Sequence, residues 1–303
     1  MLALLLPGQG SQTPGMLAPW LSDENKKTLA TWSLHIDLDL ERLGTTASAD
    51  EIKDTANAQP LIVAAGLLGA QILGLNKFAV VAGHSVGEIT AAGISGVLSS
   101  AQALELVRQR GIAMANAASQ VETGMAAVLG GDRAEVLQAI SDCGLFPAND
   151  NGAGQIVAAG SLDALDKLIE NPPAGARVRA LAVAGAFHTH FMQSAVDHVN
   201  QFASKVSISQ PKTQLLSNKD GAVVANGEDA IARIVNQIAN PVRWDLCMES
   251  LLQLGVTGAI ELPPAGTLVG LLKRATPSIE TFALKSPDDL PAALEFATKH
   301  GGA

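Results

Sequence analysis

Gly83-His84-Ser85-Val86-Gly87 is a G-x-S-x-G pentapeptide set where an apolar run, Phe78 to Ala82, gives way to a helix-like segment, Ile89 to Ile94. At a strand-to-helix junction this pattern is a nucleophile elbow, and it argues for acyl transfer through a serine ester. The glycines have a physical task there. They let the chain turn with the serine in a strained backbone conformation and leave no side chain to clash with the strand and helix on either side. A helix beginning at Val86 also points free N–H groups and a positive dipole end at the place where a tetrahedral oxyanion forms.

A serine nucleophile needs a base, and the candidates are His35, His84, His188, His190, His198 and His300. His84 adjoins the serine, and neighbouring side chains at a sharp bend diverge. His188 is the better base, because it follows Gly185-Ala186-Phe187 at a junction between two segments of different pattern, and junction loops line clefts. His190 and His198 read as solvated or capping residues. Cys143 and Cys247 lie far apart with no C-x-x-C and no histidine at metal spacing, so free thiols in a reducing compartment are expected, with no metal site.

The elements that must hold these residues follow from periodicity and composition. With 303 residues, 48% hydrophobic and 16% charged, the chain can bury a large core and stands at the size where chains divide into domains. The formal charge of −9 disfavours nucleic acid and anionic membrane as partners. Met1 to Leu6 lacks a basic leader and ends at Pro7-Gly8, so it reads as a buried first strand and not as a signal peptide. Leu61 to Leu75 is the longest apolar stretch; it is short of a membrane span, and no membrane segment is expected.

Strands at 2–6 and 79–82 alternate with helical patterns at 59–75 and 101–118, which implies a parallel sheet covered on both faces. The middle changes character. Strand-like 124–130, helical 134–143, strand-like 155–160, helical 162–170 and strand-like 178–183 give a compact β-α-β-α-β order, expected to be a small ferredoxin-like subdomain inserted at 121–187 into a core made of 1–120 and 188–303. Helical patterns at 189–204, 228–239, 243–254 and 266–275, with strands near 215–216 and at 258–262, complete that core.

Taken together, Pro7-Gly8-Gln9-Gly10-Ser11-Gln12, Gly83-His84-Ser85-Val86-Gly87-Glu88, Arg110-Gly111, Ala186-Phe187-His188 and Gln237 ahead of Asn240-Pro241-Val242 occur in the order seen in malonyl-CoA:acyl-carrier-protein transacylases, related to polyketide synthase acyltransferase domains. The chain resembles that family from about residue 1 to about residue 285. The resemblance implies an α/β fold, an α/β-hydrolase-like parallel-sheet core with the inserted ferredoxin-like subdomain. It implies Ser85 as nucleophile, His188 as general base and Gln237 as a neutral orienter of the histidine, with the N–H groups of Gln9 and Val86 as oxyanion hole. Arg110 matches the residue that binds the substrate carboxylate, which a guanidinium can hold through two parallel hydrogen bonds. Phe187 goes with selection of malonyl over methylmalonyl units. Arg177, Lys273 and Arg274 match positions proposed for carrier docking.

The implied reaction moves malonyl from malonyl-CoA to the phosphopantetheine thiol of an acyl carrier protein by a ping-pong route, for fatty-acid synthesis. No bound cofactor is expected, malonyl-CoA being substrate and coenzyme A product, and the expected setting is a cytoplasmic monomer. Two other readings compete. A patatin-like lipase or esterase would pair Ser85 with Asp220 of Asp220-Gly221-Ala222, and a non-catalytic scaffold would keep the fold and bind the carrier without chemistry. Without the resemblance, Arg110 would pass for a solvated residue pairing along its helix with Glu105.

Overall fold

The computed structural model describes residues 1–302. The first part holds β1 (Leu2–Leu6), α1 (Asp23–Ile36), α2 (Leu40–Thr45), α3 (Thr55–Leu73), β2 (Val80–Gly83), α4 (Gly87–Ile94) and α5 (Ser100–Ala118). The middle holds β3 (Thr123–Gly130), α6 (Arg133–Asp142), β4 (Phe146–Asp150), β5 (Gln155–Ser161), α7 (Leu162–Glu170) and β6 (Ala176–Ala180). The last part holds α8 (Gln193–Ala203), β7 (Gln214–Leu216), α9 (Gly227–Gln237), β8 (Val242–Arg243), α10 (Trp244–Gln253), β9 (Gly258–Glu261), α11 (Thr267–Ala275), β10 (Glu280–Ala283) and α12 (Leu290–Lys299).

Five strands in the order β10-β9-β1-β2-β7, all parallel, form the main sheet. Its central strand shows why both faces are covered. Leu2, Leu4 and Leu6 of β1 pack into the core under α3, α4 and α5, whereas Ala3 and Leu5 pack into a second core with Trp244, Met248, Leu251 and Leu272 from α10 and α11. Period-2 alternation with an apolar residue at every position is the mark of a strand buried on both sides.

The second sheet, β6-β3-β5-β4-β8, is antiparallel except where β8 joins β4. Ala126, Val128, Ile156 and Ala158 face α6 and α7, while Met125, Ala127 and Val157 turn to the cavity shared with the main sheet. The sequence pattern omits β4, whose Pro147 and polar Asn149 and Asp150 hide a strand that pairs with β5 through a register shift. Nor does periodicity reveal the two-residue β8. It pairs with β4 although it lies outside the segment 121–187.

Other differences have simple causes. The helix expected from Gln59 starts at Thr55, where Asp54 caps it by accepting from Ala56 N–H. At 19 residues α3 is long and apolar enough to cross a membrane, a length the apolar run alone conceals, yet most of it is buried inside the fold. The segment 189–204 is a short 3₁₀ turn followed by α8, because Thr189 takes the capping position.

Glycine is required where the elbow is tightest. A Cβ on Gly83 would lie 2.0 Å from the Gly87 carbonyl, and one on Gly8 would lie 2.7 Å from the His84 carbonyl oxygen. The N-terminal loop and the elbow therefore come too close at Gly8 and Gly83 to admit a side chain.

Candidate active site

Ser85 sits between β2 and α4 with φ of 52°, and His188 sits in the loop ahead of α8 with φ of 61°. Left-handed backbone costs a non-glycine residue of order 1–3 kcal/mol and persists where the surroundings over-determine it. Here it brings Ser85 Oγ to 2.8 Å from His188 Nε2. His188 Nδ1 lies 2.8 Å from the backbone carbonyl oxygen of Gln237. A carbonyl can only accept, so Nδ1 carries the proton and Nε2 is left as the acceptor for the serine hydroxyl.

Burial lowers the His188 pKa to about 3, and the nearby charge of Arg110 adds to the effect. The imidazole is therefore neutral, and competent to accept, across the physiological range.

Gln237 meets the histidine, but through its main chain. Its side chain is committed elsewhere: Oε1 accepts from Arg110 Nη2 at 2.9 Å, and Nε2 donates to the Ser85 carbonyl at 3.1 Å, to Asn218 Oδ1 at 3.1 Å and to the Glu88 carboxylate. Arg110 is 1% exposed, so the reading as a solvated residue is wrong. Glu105, its expected helical partner, pairs with His35 at 2.8 Å instead. The Arg110 guanidinium donates from Nη1 to Gln59 Oε1 at 2.7 Å, and Nη2 comes within 3.5 Å of Ser85 Oγ.

The oxyanion candidates fit the same frame. Gly87 N–H donates to the His84 carbonyl, Glu88 N–H to that of Ser85 and Ile89 N–H to that of Val86. The N–H of Val86 itself has no acceptor among the described residues, as expected of a group at a helix start. The N–H of Gln9 likewise has none, and Gln9 lines the cavity. That cavity, of about 250 Å³, is walled by Gly8 and Gln9 of the N-terminal loop, Gln59, Ser85, Met114, Phe187 and His188, with the second sheet opposite. Phe187 is 5% exposed and faces it.

Three residues that matter were not singled out from sequence. Asn218, fully buried at the end of β7, accepts the Ser85 N–H at 2.7 Å and donates from Nδ2 to the Gly83 carbonyl at 2.8 Å, pinning both sides of the elbow. Its N–H donates in turn to Glu88 Oε1 at 2.6 Å. Burial pushes the Glu88 carboxyl up to about 8, against the pull of those donors and of Arg110. Gln59 is the third. For Asn218 the only signal was a polar residue just past a buried strand, the end at which open parallel sheets carry their sites.

Asp220 is not brought to this place. Its carboxylate accepts from Arg233 at 2.8 and 2.9 Å and caps Ala222 N–H, so a Ser85–Asp220 pairing is excluded. Arg177, Lys273 and Arg274 are exposed. Among the described residues no cluster of histidine, cysteine and carboxylate groups could hold a metal.

Residues 4–287 match the acyl transferase domain family. This chain belongs to the acyl transferase family. The malonyl CoA-acyl carrier protein transacylase of Mycobacterium tuberculosis is 53% identical to it over 296 residues, spanning 96% of this chain and 98% of that protein. The enzyme of the same name from Escherichia coli K12 is 32% identical over 97% of this chain and 99% of its own length. The crystal structure of the M. tuberculosis transacylase superposes with a TM-score of 0.93, covering 96% of this chain and 99% of that one. A second acyltransferase, solved in complex with a type II polyketide acyl carrier protein, superposes at 0.91 with 29% identity, covering 97% of this chain and 99% of its own. The chain is an acyltransferase with the expected parallel-sheet core and second sheet.

A neutral His188 gives a pH prediction. A base with pKa about 3 stays deprotonated as the pH falls from 8 to 5, so kcat/KM for acylation should show no loss through 6.5, the ordinary histidine value. Stopped-flow acylation across that range checks it. A titration centred near 6.5 would contradict the buried, neutral imidazole.

Proposed function

We propose that this acyltransferase moves malonyl from malonyl-CoA to the phosphopantetheine thiol of an acyl carrier protein, with Ser85 as nucleophile and His188 as base. The observation that carries the reading is the 2.8 Å contact between Ser85 Oγ and His188 Nε2 in a cavity backed by a buried arginine. Relatives over the whole length that are malonyl transacylases support the substrate, and the carrier complex of one of them supports the partner.

His188 Nε2 takes the hydroxyl proton as Oγ attacks the thioester carbonyl. The N–H groups of Gln9 and Val86 receive the negative charge that develops on oxygen. The tetrahedral intermediate collapses, His188 returns the proton to the departing sulfur, and coenzyme A leaves as a thiol. A malonyl ester remains on Ser85. The carrier thiol then gives its proton to His188, attacks the ester and takes the acyl group, and His188 passes that proton to the departing Ser85 oxygen, restoring the serine hydroxyl.

Arg110 anchors the malonyl carboxylate, and the pairing has a second effect. The charge of Arg110 helps depress the basicity of His188, so a carboxylate that offsets this charge lets the imidazole hold the proton more readily. Phe187 sets the room beside the α-carbon. The segment 121–187 is read as an inserted unit that walls the cleft, and Arg177, Lys273 and Arg274 as basic positions for an acidic carrier. The setting is read as cytoplasmic fatty-acid synthesis by a monomer that needs no bound cofactor.

Intact-mass measurement with malonyl-, methylmalonyl- and acetyl-CoA tests the chemistry. A malonyl adduct should form on the wild type and vanish in Ser85→Ala, with methylmalonyl labelling slower. Arg110→Ala should cut malonyl labelling by about 2–4 kcal/mol of transition-state stabilisation and spare acetyl. An adduct that survives Ser85→Ala, or equal losses for both acyl groups, would overturn the assignments.

Docking is tested separately, by reversing Lys273 and Arg274 to Glu. KM for the carrier should rise while KM for malonyl-CoA holds. Unchanged carrier kinetics would reject the patch.

A further inference from the structure

The wall of the cavity and the charge behind it belong to different residues. Gln59, a buried residue of α3, lines the cavity, whereas Arg110 is not among the lining residues. Gln59 Oε1 takes Nη1 of the arginine at 2.7 Å, and Gln237 Oε1 takes Nη2 at 2.9 Å. Both acceptors are neutral carboxamides. The one buried carboxylate of the network, Glu88, reaches the arginine only by way of Gln237.

The guanidinium is therefore buried without a direct counter-ion. Burial lowers its pKa only to about 10, so it remains charged at neutral pH. Its Nε has no acceptor among the described residues. Gln59 is loosely held on its other side, Nε2 lying 3.4 Å from both Gln9 Oε1 and Met114 Sδ. On that side it can turn without breaking a strong bond, and only its 2.7 Å bond to Arg110 Nη1 has to be exchanged.

We propose that Gln59 is a specificity-determining residue: in the resting enzyme its carboxamide oxygen occupies the place on Arg110 Nη1 that the substrate carboxylate takes over. The inference rests on the reading of Arg110 as the carboxylate anchor. A neutral acceptor keeps the guanidinium oriented and partly satisfied, which an empty fork would not be. It also leaves the positive charge unspent, so exchanging it for an anionic acceptor is favourable, the carboxylate adding ion-pair attraction in a buried site to a hydrogen bond that the guanidinium already charge-assists. A substrate with no carboxylate cannot make the exchange. A glutamate at this position would be a permanent internal anion and would close the site to malonyl.

The test compares Gln59→Glu, Gln59→Ala and Arg110→Ala in acyl transfer from malonyl-CoA and acetyl-CoA, with thermal midpoints measured alongside. Gln59→Glu should lower the malonyl-to-acetyl ratio of kcat/KM by on the order of 100-fold. Gln59→Ala should keep the malonyl preference. It should also bind free malonate, as an inhibitor of acetyl transfer, about fivefold more tightly, because no carboxamide has to be displaced. That second readout stands even where Gln59→Glu does not fold.

A wild-type ratio in Gln59→Glu, equal losses for both acyl groups in that variant, or malonate inhibition unchanged or weakened in Gln59→Ala would overturn the proposal. The arginine control separates the two levels. If Arg110→Ala is selective against malonyl and the Gln59 variants are not, only the role of Gln59 falls; if Arg110→Ala affects both acyl groups alike, the anchor itself is wrong.

Discussion

Two residues in left-handed backbone, Ser85 and His188, are held against each other across a 2.8 Å hydrogen bond, and most of the surrounding structure serves to keep them there. Neither conformation is one a serine or histidine adopts at no cost. Each is enforced from outside. The N–H of Ser85 is fixed by Asn218 Oδ1, and the ring of His188 by the carbonyl of Gln237. Glycines at 8, 83 and 87 let the loop, strand and helix come close enough for the geometry to close. The parallel sheet supplies the fixed points, since Gly83 ends β2, Asn218 follows β7 and Gln9 follows β1, three neighbouring strands.

Around this contact the electrostatics are arranged by carboxamides. Asn218, Gln237 and Gln59 each present an oxygen to a donor that must be aimed: the Ser85 amide, then Nη2 and Nη1 of Arg110. Amides orient without neutralising. A carboxylate in direct contact with Arg110 would stabilise the resting protein and consume the charge that the proposed acidic substrate would meet. Glu88 is kept one residue away. It anchors the amides and not the arginine, and its burial holds its carboxyl near 8. The low basicity of His188 belongs to the same arrangement, because a buried cation nearby disfavours the imidazolium until an anion is bound.

Much of this was legible in the chain because backbone-demanding positions leave strong marks. The G-x-S-x-G elbow, the apolar β1 and the Ala-Phe-His triplet are local signals, and local signals carry to the structure. The roles that depend on long-range contacts were harder. Asn218 stands 133 residues from the serine it pins, in a stretch that reads as a turn. Gln237 was expected to orient the histidine, but sequence cannot say that its main chain is what meets the ring while its side chain holds Arg110. Arg110 itself carried an overlooked sign: it lies on the stripe of Ala103, Val107, Met114 and Ala117, the buried face of α5, where an unpaired cation is out of place unless it has work to do. Strands β4 and β8 escaped because polar residues and brevity mask the period-2 pattern.

The central claim is most directly tested by a crystal structure of the protein reacted with malonyl-CoA in the absence of a carrier. The account predicts density continuous with Ser85 Oγ, an ester carbonyl oxygen within hydrogen-bond reach of the Gln9 and Val86 N–H groups, and a carboxylate on Arg110. An ester on any other side chain, or an ester on Ser85 whose carbonyl points away from both N–H groups, would contradict it.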